Sequence, residues 1–226
     1  IRILGSVPAR VEDVCIRCSS EDDRNTGFKY GLLVSQCWNL SLLNCVIYAG
    51  AAPLILEFCT AVSLINGEIG KSGKFDGIDF GYIQEDIVPP YFLDDDGNMK
   101  DGFGADCGIL ASKSNITCIA TSFEHLHGVI YAFGGNSTLK DCYIELGSNE
   151  DTIAYVNNGF LCIDGKRNPA HLFAPKSYCY GITSNDFPIE DAYSRGLVLK
   201  NIDCGYIYVD NKTGVPNAKL VDVDWS

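Results

Sequence analysis

Four side chains in the middle of the chain have the chemistry of acid–base catalysts. Asp76 and Asp79 lie in the stretch FDGIDFG (75–81), and Asp106 and His127 follow it. Inverting hydrolysis of a glycosidic bond needs one carboxylic acid to protonate the leaving oxygen and one carboxylate to activate water. Glycines beside Asp76 and Asp79 are equally typical of a tight bend, where a carboxylate accepts backbone hydrogen bonds. A catalytic role therefore requires a fold that brings these distant positions together.

An acidic segment, residues 82–104, offers ligands for a cation. Its oxygen-bearing side chains could wrap a calcium ion; they belong to Asp94, Asp95, Asp96, Asn98 and Asp101. The spacing is not that of an EF-hand loop, because Gly97 comes two positions early. A solvated acidic loop is the alternative interpretation. Calcium is the one cofactor that the sequence suggests, and neither predicted function requires it.

Short apolar segments recur along the chain and form two interleaved series. One series contains NLSLLNCVI (39–47), AVSLINGEI (61–69), NITCIATSF (115–123), NSTLKDCYI (136–144) and a weaker copy, LVLKNIDC (197–204). The other contains GLLV (31–34), PLIL (53–56), GIDF (77–80), GILA (108–111) and GVIY (128–131). The second series advances in steps of 22, 24, 31 and 20, and the long step contains the acidic segment.

This periodicity predicts an all-β fold, a single-stranded parallel β-helix with coils of about 20–24 residues. In such a solenoid each strand pairs with its counterpart one coil away. Asn44 and Asn66 share one register and are expected to stack at a bend. Cysteine behaves as a small apolar residue, which suits inward stacks. Leucine-rich repeats are the alternative, but their Leu-x-x-Leu-x-Leu pattern is not sustained.

The length predicts one domain. A chain of 226 residues can bury one sizeable core and is short for two. We divide this domain into an N-terminal cap region (1–30), the inserted loop (82–104), a C-terminal segment (205–226) and the coils between them.

The repeats and acidic motifs resemble the right-handed parallel β-helices of the pectin-lyase-like superfamily, which includes polygalacturonase-type glycoside hydrolases and phage tailspikes. FDGIDFG, GADCGIL (104–110) and LHGVIYAFGG (126–135) are similar to three motifs that polygalacturonase-type enzymes carry on consecutive coils. The resemblance implies a polysaccharide substrate and a site at Asp76, Asp79 and Asp106, with His127 assisting. Ala105 stands where those enzymes carry the first acid of an Asp-Asp pair.

Strand parity predicts a second functional surface. In the second series, positions two and four pack inside, so position three faces outward. That column reads Leu33, Ile55, Asp79, Leu110 and Ile130. An exposed apolar stripe of this kind indicates a partner surface. We expect its apolar members to be covered by a segment of the same chain or by another subunit of a homo-oligomer or polymer.

Composition restricts the partners and the compartment. The formal net charge of −12 argues against nucleic acid, whose phosphates the chain would repel. No run of the sequence has the length and hydropathy of a membrane span. Eleven cysteines and four N-glycosylation sequons favour an extracellular protein, secreted or on a virion surface. The sequons begin at Asn39, Asn115, Asn136 and Asn211.

Two functions follow from these features. Ala105 and the apolar column favour a structural subunit of an extracellular or virion-surface fibre or spike, which self-assembles and binds glycans without cleaving them. The alternative is a polysaccharide-degrading glycoside hydrolase, polygalacturonase-like or tailspike-like, that uses surface carboxylates. The two differ in whether the protein releases reducing ends from a polysaccharide.

Overall fold

The chain is built from short β-strands. The computed structural model describes residues 1–5, 8–17, 30–50, 52–71, 107–126, 128–146, 152–165, 177–181, 196–203, 207–211 and 218–224. The strands in these ranges are β1 (Arg2–Leu4), β2 (Ala9–Glu12), β3 (Cys15–Ile16), β4 (Tyr30–Ser35), β5 (Leu40–Leu43), β6 (Val46–Ala49), β7 (Ala52–Glu57), β8 (Val62–Ile65), β9 (Glu68–Lys71), β10 (Cys107–Ser112), β11 (Ile116–Ile119), β12 (Ser122–Leu126), β13 (Gly128–Lys140), β14 (Tyr143–Leu146), β15 (Thr152–Asp164), β16 (Ser177–Gly181), β17 (Gly196–Asp203), β18 (Ile207–Asn211) and β19 (Ala218–Asp224). Every element in the described ranges is a strand, which confirms the predicted all-β class.

These strands pair in parallel and form three ladders. Ladder 1 contains β1, β4, β7, β10, the first halves of β13 and β15, then β16 and β18. Ladder 2 contains β2, β5, β8, β11, the second halves of β13 and β15, then β17 and β19. Ladder 3 contains β3, β6, β9, β12 and β14. From β1 to β15 the chain visits the ladders in turn, and we call one such circuit a coil.

Neighbouring strands within a ladder come from segments about one repeat apart in sequence. Leu32 of β4 pairs with Leu54 of β7, and Ile109 of β10 pairs with Ile130 of β13. Parallel pairing between successive copies is what the repeats predict. The arrangement is consistent with a parallel β-helix.

The strand that follows β7 in ladder 1 is not the predicted one. Leu54 of β7 pairs directly with Ile109 of β10, which lies more than two repeat lengths further along the chain. Because β10 takes the backbone hydrogen bonds on that side of β7, no strand fits between them in ladder 1. The prediction that GIDF (77–80) forms the coil after β7 is therefore wrong. GIDF and the acidic segment both fall in residues 72–106, outside the described residues.

The register of β13 also differs from the prediction by one residue. Leu110 pairs with Tyr131, whereas the repeat alignment placed Ile130 beside it. A slip of one residue moves a side chain to the other face of a sheet. Ile130 consequently belongs to the buried core, and Tyr131 continues the outward column. The alignment had matched the glycines that begin GILA and GVIY, but Gly128 pairs with Cys107.

The outward column of ladder 1 is buried within the chain itself. Leu33 is 8% exposed, Ile55 is 2% exposed and Leu110 is 1% exposed. Apolar side chains on both faces of a parallel sheet are expected when both faces are covered. The column is thus not an exposed stripe, and its role as an interface between subunits stays a prediction.

Apolar side chains fill the interior, and buried cysteines lie among them as predicted. The thiol of Cys59 donates to the carbonyl of Glu57 at 3.3 Å, and that of Cys142 donates to Lys140 at 3.5 Å. Both carbonyls lie two residues earlier in the chain, so each thiol satisfies the backbone at a bend. Burial raises the pKa of Cys142 to about 11, which keeps the thiol protonated as a donor.

One residue with a left-handed backbone lies at each turn from ladder 2 to ladder 3. The φ angles are 56° at Asp13, 50° at Asn44, 52° at Asn66, 49° at Ala120 and 52° at Asp141; we call these five residues the corner row. The side-chain amide of Asn44 donates to Asp13 Oδ1 at 3.0 Å, and that of Asn66 donates to Asn44 Oδ1 at 2.9 Å. This confirms that Asn44 and Asn66 stack at a bend. Ala120 interrupts the row.

Candidate functional site

The outer face of ladder 3 carries a cluster of acids and phenols. Glu68 of β9 pairs with Ser122 of β12, and Gly70 pairs with Glu124 on one side and Tyr48 of β6 on the other. The residues that alternate with them are buried in the core: Ile47, Ile69 and Phe123. Because side chains alternate along a strand, Tyr48, Glu68 and Glu124 lie on the outside.

Tyr48 joins the two glutamates. Its hydroxyl contacts Glu68 Oε1 and lies 3.1 Å from Glu124 Oε2. Burial, the hydrogen bond to Glu68 and the nearby charge of Glu124 raise the pKa of Tyr48 well above its usual value, so the phenol stays protonated. A phenol carries one proton and donates to one carboxylate at a time.

A glycine makes this arrangement possible. The ring of Tyr48 lies across Gly70, and a Cβ at that position would overlap the ring atoms. The absence of a side chain lets the ring cross strand β9 and reach Glu124 on the strand beyond it. The guanidinium of Arg17 lies 5.5 Å from the centroid of the same ring, a cation–π contact that holds the ring from another direction.

Further polar side chains extend the cluster along ladder 3. Ser122 Oγ donates to Glu124 Oε1 at 2.8 Å. One coil further on, Tyr143 donates to Glu145 Oε2 at 3.1 Å, and His125 Nδ1 lies 3.4 Å from Glu145 Oε1. Desolvation and the hydrogen bond to Glu145 raise the pKa of Tyr143. The glutamates of β9, β12 and β14 therefore give this surface a negative charge.

A groove of about 500 Å³ lies beside the cluster, where ladder 2 turns into ladder 3. Its floor contains Ala120 and Gly67, and its walls include Asn66 and Asp141. The groove exists because the corner row is interrupted: Ala120 contributes only a methyl group between two longer side chains. Two strand spacings separate Asn66 from Asp141, which is about 10 Å. Glu68, Ser122 and Tyr143 contribute further polar and aromatic walls.

The predicted catalytic residues Asp76, Asp79, Asp106 and His127 lie outside the described residues, as do the predicted calcium ligands Asp94, Asp96, Asn98 and Asp101. Their roles stay predictions. The direct pairing of β7 with β10 removes the coil spacing that was expected to align Asp76 with Asp106. In the part of the chain that the structure describes, no group of three or more His, Cys, Asp or Glu residues could hold a metal ion.

The four sequons lie in different settings. Asn39 and Asn136 are exposed. Asn115 is partly buried, and its Oδ1 accepts a hydrogen bond from the backbone N–H of Asn136 at 2.8 Å. Asn211 is the last residue of β18. Glycosylation at these positions stays a prediction.

Sequence reasoning missed the cluster on ladder 3. The aligned repeats NLSLLNCVI and AVSLINGEI end at Ile47 and Ile69, so Tyr48 and Gly70 fell outside the pattern. Extending each repeat by one residue would have included an outward position directly after a buried apolar residue. Glu68 was inside the pattern, directly before Ile69, and its outward parity was the available signal.

No known protein family matches the chain, and no curated protein or solved structure is significantly similar to it. Among the described residues, no helix has the length and hydropathy needed to span a membrane. The site must therefore be interpreted from its own geometry.

Proposed function

We propose that this protein is an extracellular, right-handed parallel β-helix, of the pectin-lyase-like type, that binds a polysaccharide in the groove between ladders 2 and 3. The observation that carries the proposal is the groove itself, an open concavity of about 500 Å³ with polar walls. Small-molecule and saccharide sites are concave and combine apolar or aromatic surface with a few placed polar groups.

The walls of the groove match the chemistry of a sugar ring. Asn66 offers an amide, and Asp141 and Glu68 offer carboxylates, which together can accept from and donate to hydroxyl groups. Tyr143 adds an aromatic ring, on which the apolar face of a sugar can pack. The acids favour neutral or basic sugars over uronic acids, because an anionic ring would meet Glu68 and Asp141 at close range. This preference differs from that of a polygalacturonase.

Filling the groove tests this proposal without damaging the fold. Ala120→Asn places an amide in the gap, and Ala120→Gly leaves the gap open. We expect the Asn variant to lose binding to a panel of immobilised neutral and amino-sugar polysaccharides, while the Gly variant retains it. Equal binding by the two variants, or no binding by the unmodified protein to any member of the panel, would exclude the groove as a polysaccharide site.

The glutamate pair favours a second candidate function, cleavage of the bound glycan. Both carboxylates contact the hydroxyl of Tyr48, which puts their nearest oxygens within about 6 Å of each other. A carboxyl separation of about 5–5.5 Å is typical of retaining glycosidases, and inverting enzymes need a wider gap for water. In this candidate mechanism one glutamate attacks the anomeric carbon while the other protonates the leaving oxygen, which breaks the glycosidic bond. Water, deprotonated by the second glutamate, then hydrolyses the glycosyl-enzyme ester and frees the first carboxylate. Tyr48 holds the nucleophile in place.

Reducing-end release distinguishes cleavage from binding. Glu68→Gln and Glu124→Gln should each lower the rate of reducing-end release by at least about 100-fold, because general acid–base catalysis contributes at least that much. Both variants should still bind the polysaccharide, because the amide at position 68 keeps the shape of the groove wall and Glu124 lies beside the groove rather than in its lining. If the unmodified protein binds glycans but releases no reducing ends, the protein is a binding module and the hydrolase candidate fails.

A further inference from the structure

Three of the four sequons share one edge of the coils. The register of ladder 2 aligns four hydroxyl residues on neighbouring strands: Ser41, Ser63, Thr117 and Thr138. The residues two positions earlier therefore form a second row, at the turn from ladder 1 to ladder 2: Asn39, Ala61, Asn115 and Asn136. We call this the sequon row, because each of its asparagines begins an Asn-x-Ser/Thr sequon. Ala61 interrupts the row.

Two of these sequons are open to solvent at both of their reactive residues. The middle residue of each is buried, and side chains alternate along a strand, so the flanking side chains lie on the outer face. Asn39 and Asn136 are exposed. Ser41 and Thr138, which complete these two sequons, are partly exposed. An outward asparagine with an outward hydroxyl two residues later is the arrangement of a surface sequon that carries a glycan.

Asn115, the third asparagine of the row, has a structural partner instead. It is partly buried, and its Oδ1 accepts the hydrogen bond from the backbone N–H of Asn136 at 2.8 Å. Asn115 and Asn136 lie on neighbouring strands, one strand spacing or about 4.8 Å apart. That distance leaves space for one glycan, and Asn136 is the more exposed of the two. Asn39 is two spacings, about 10 Å, from Asn115 and is not crowded by it.

A large aromatic side chain lies beside the first of these sequons. Trp38 directly precedes Asn39, and it is 61% exposed. An aromatic ring with this exposure is available to the apolar face of a sugar. A sugar attached to the side chain of the next residue is close enough to pack on it.

We propose that Asn39 and Asn136 carry N-linked glycans, that Asn115 is unmodified, and that the glycan on Asn39 packs against Trp38. The donor is a sugar linked to a lipid diphosphate. A bond forms between the amide nitrogen and the anomeric carbon, the bond from that carbon to the phosphate oxygen breaks, and the amide releases a proton. This inference rests on the extracellular location in the proposed function. It does not depend on polysaccharide binding, because the groove lies at the other corner of ladder 2.

Site occupancy tests the proposal directly. The chain is directed into the secretory pathway of cultured mammalian cells, and enzymatic deglycosylation in ¹⁸O water converts each glycosylated asparagine into a labelled aspartate that peptide mass spectrometry locates. Ser41→Ala and Thr138→Ala each destroy one sequon and keep its asparagine, so the backbone of the row is unchanged. Ser63→Ala is the matched control, because it removes a hydroxyl from the same row, two residues after Ala61, where the chain has no sequon.

The expected result is label at Asn39 and Asn136 and none at Asn115. Ser41→Ala and Thr138→Ala should each remove one glycan from the intact mass, and Ser63→Ala should remove none. No label at either exposed asparagine would overturn the proposal, and so would equal label at Asn115 and Asn136.

Fluorescence quenching tests the contact with Trp38. In a Trp225→Phe background the emission comes from Trp38 alone, since the chain has two tryptophans. Ser41→Ala should increase its quenching by acrylamide, and Thr138→Ala should not; equal quenching would overturn the contact. A glycosylated protein that binds no polysaccharide would exclude the groove and support the sequon row, whereas a binding protein without these glycans would do the reverse.

Discussion

Replacing Ala120 by asparagine should make the protein more stable. Ala120 has a φ of 49°, a left-handed conformation that alanine adopts at a cost and asparagine adopts readily. Within the corner row, Asn44 donates to Asp13 and Asn66 donates to Asn44. An asparagine at position 120 would repeat this geometry, with its amide donating to Asn66 Oδ1. The substitution therefore changes the backbone preference and adds one hydrogen bond.

The magnitude follows from three terms. Relief of the left-handed conformation contributes about 1 kcal/mol. The new bond is at the surface, as the bond between Asn66 and Asn44 is, and contributes about 0.5 kcal/mol. Ordering the new side chain costs about 0.5 kcal/mol. The net gain is about 1 kcal/mol, which corresponds to an increase of about 2–4 °C in the Tm of a domain of this size.

Guanidinium unfolding followed by circular dichroism measures this gain. Ala120→Gly is the control that relieves the backbone without adding a bond, and its free energy of unfolding should lie below that of the Asn variant. Combining Ala120→Asn with Asn66→Ala should remove the contribution of the bond, because its acceptor is then absent. If the Asn variant is no more stable than the Gly variant, the corner row does not stabilise the coils through its amides.

Three other substitutions test the packing and the buried thiols. Ser137→Ala should raise the free energy of unfolding by about 1 kcal/mol, because the buried Ser137 hydroxyl has no hydrogen-bond partner among the described residues; thermal unfolding measures it. Gly70→Ala should lower the same free energy by about 1–3 kcal/mol, because the new methyl group overlaps the ring of Tyr48. Cys142→Ser should reduce the decrease in the free energy of unfolding between about pH 9 and 11. Denaturant unfolding at each pH measures this decrease. The folded-state pKa of that thiol is raised, so its contribution is complete at lower pH and is lost as pH rises through about 11.

Each of these substitutions has a control or an outcome that contradicts it. Thr138→Ala is the control for Ser137→Ala. It changes the next residue, which lies on the outer face, and should change the free energy of unfolding little. The penalty of Gly70→Ala should disappear in a Tyr48→Ala background, and a penalty of equal size there would show that the ring does not require the glycine. An alkaline transition that is unchanged by Cys142→Ser would mean that other groups control it.

The repeats predicted the architecture because strand pairing depends on local features that recur. Apolar alternation, an asparagine at the bend and a small residue inside the corner appear in more than one copy, as at Asn44 and Asn66. Register was predicted less well because glycines were used to align β10 with β13, although the pairing depends on which side chains fill the core. Ile130 fills the core, and an alignment on buried residues would have placed it there.

The site was harder to predict because its residues are brought together by two different properties of the fold. Glu68 and Glu124 are distant in the sequence, and only the direct stacking of β9 on β12 makes their strands neighbours. The expectation that GIDF formed a coil placed one additional strand between those segments. The groove depends on the short side chain of Ala120. A search of the sequence for reactive groups does not detect a place where a small residue leaves space.

The direct pairing of β7 with β10 shows that a long segment can lie between two stacked strands without preventing them from pairing. Leu54 and Ile109 pair although more than two repeat lengths of chain separate them, whereas a single repeat length separates Leu32 from Leu54. Loop-closure entropy grows only with the logarithm of loop length, so each doubling of a flexible connection between stacked strands costs only about 0.6 kcal/mol. Evolution could thus lengthen or exchange this segment, and with it any recognition specificity that it carries, while the stacked strands on either side kept their register.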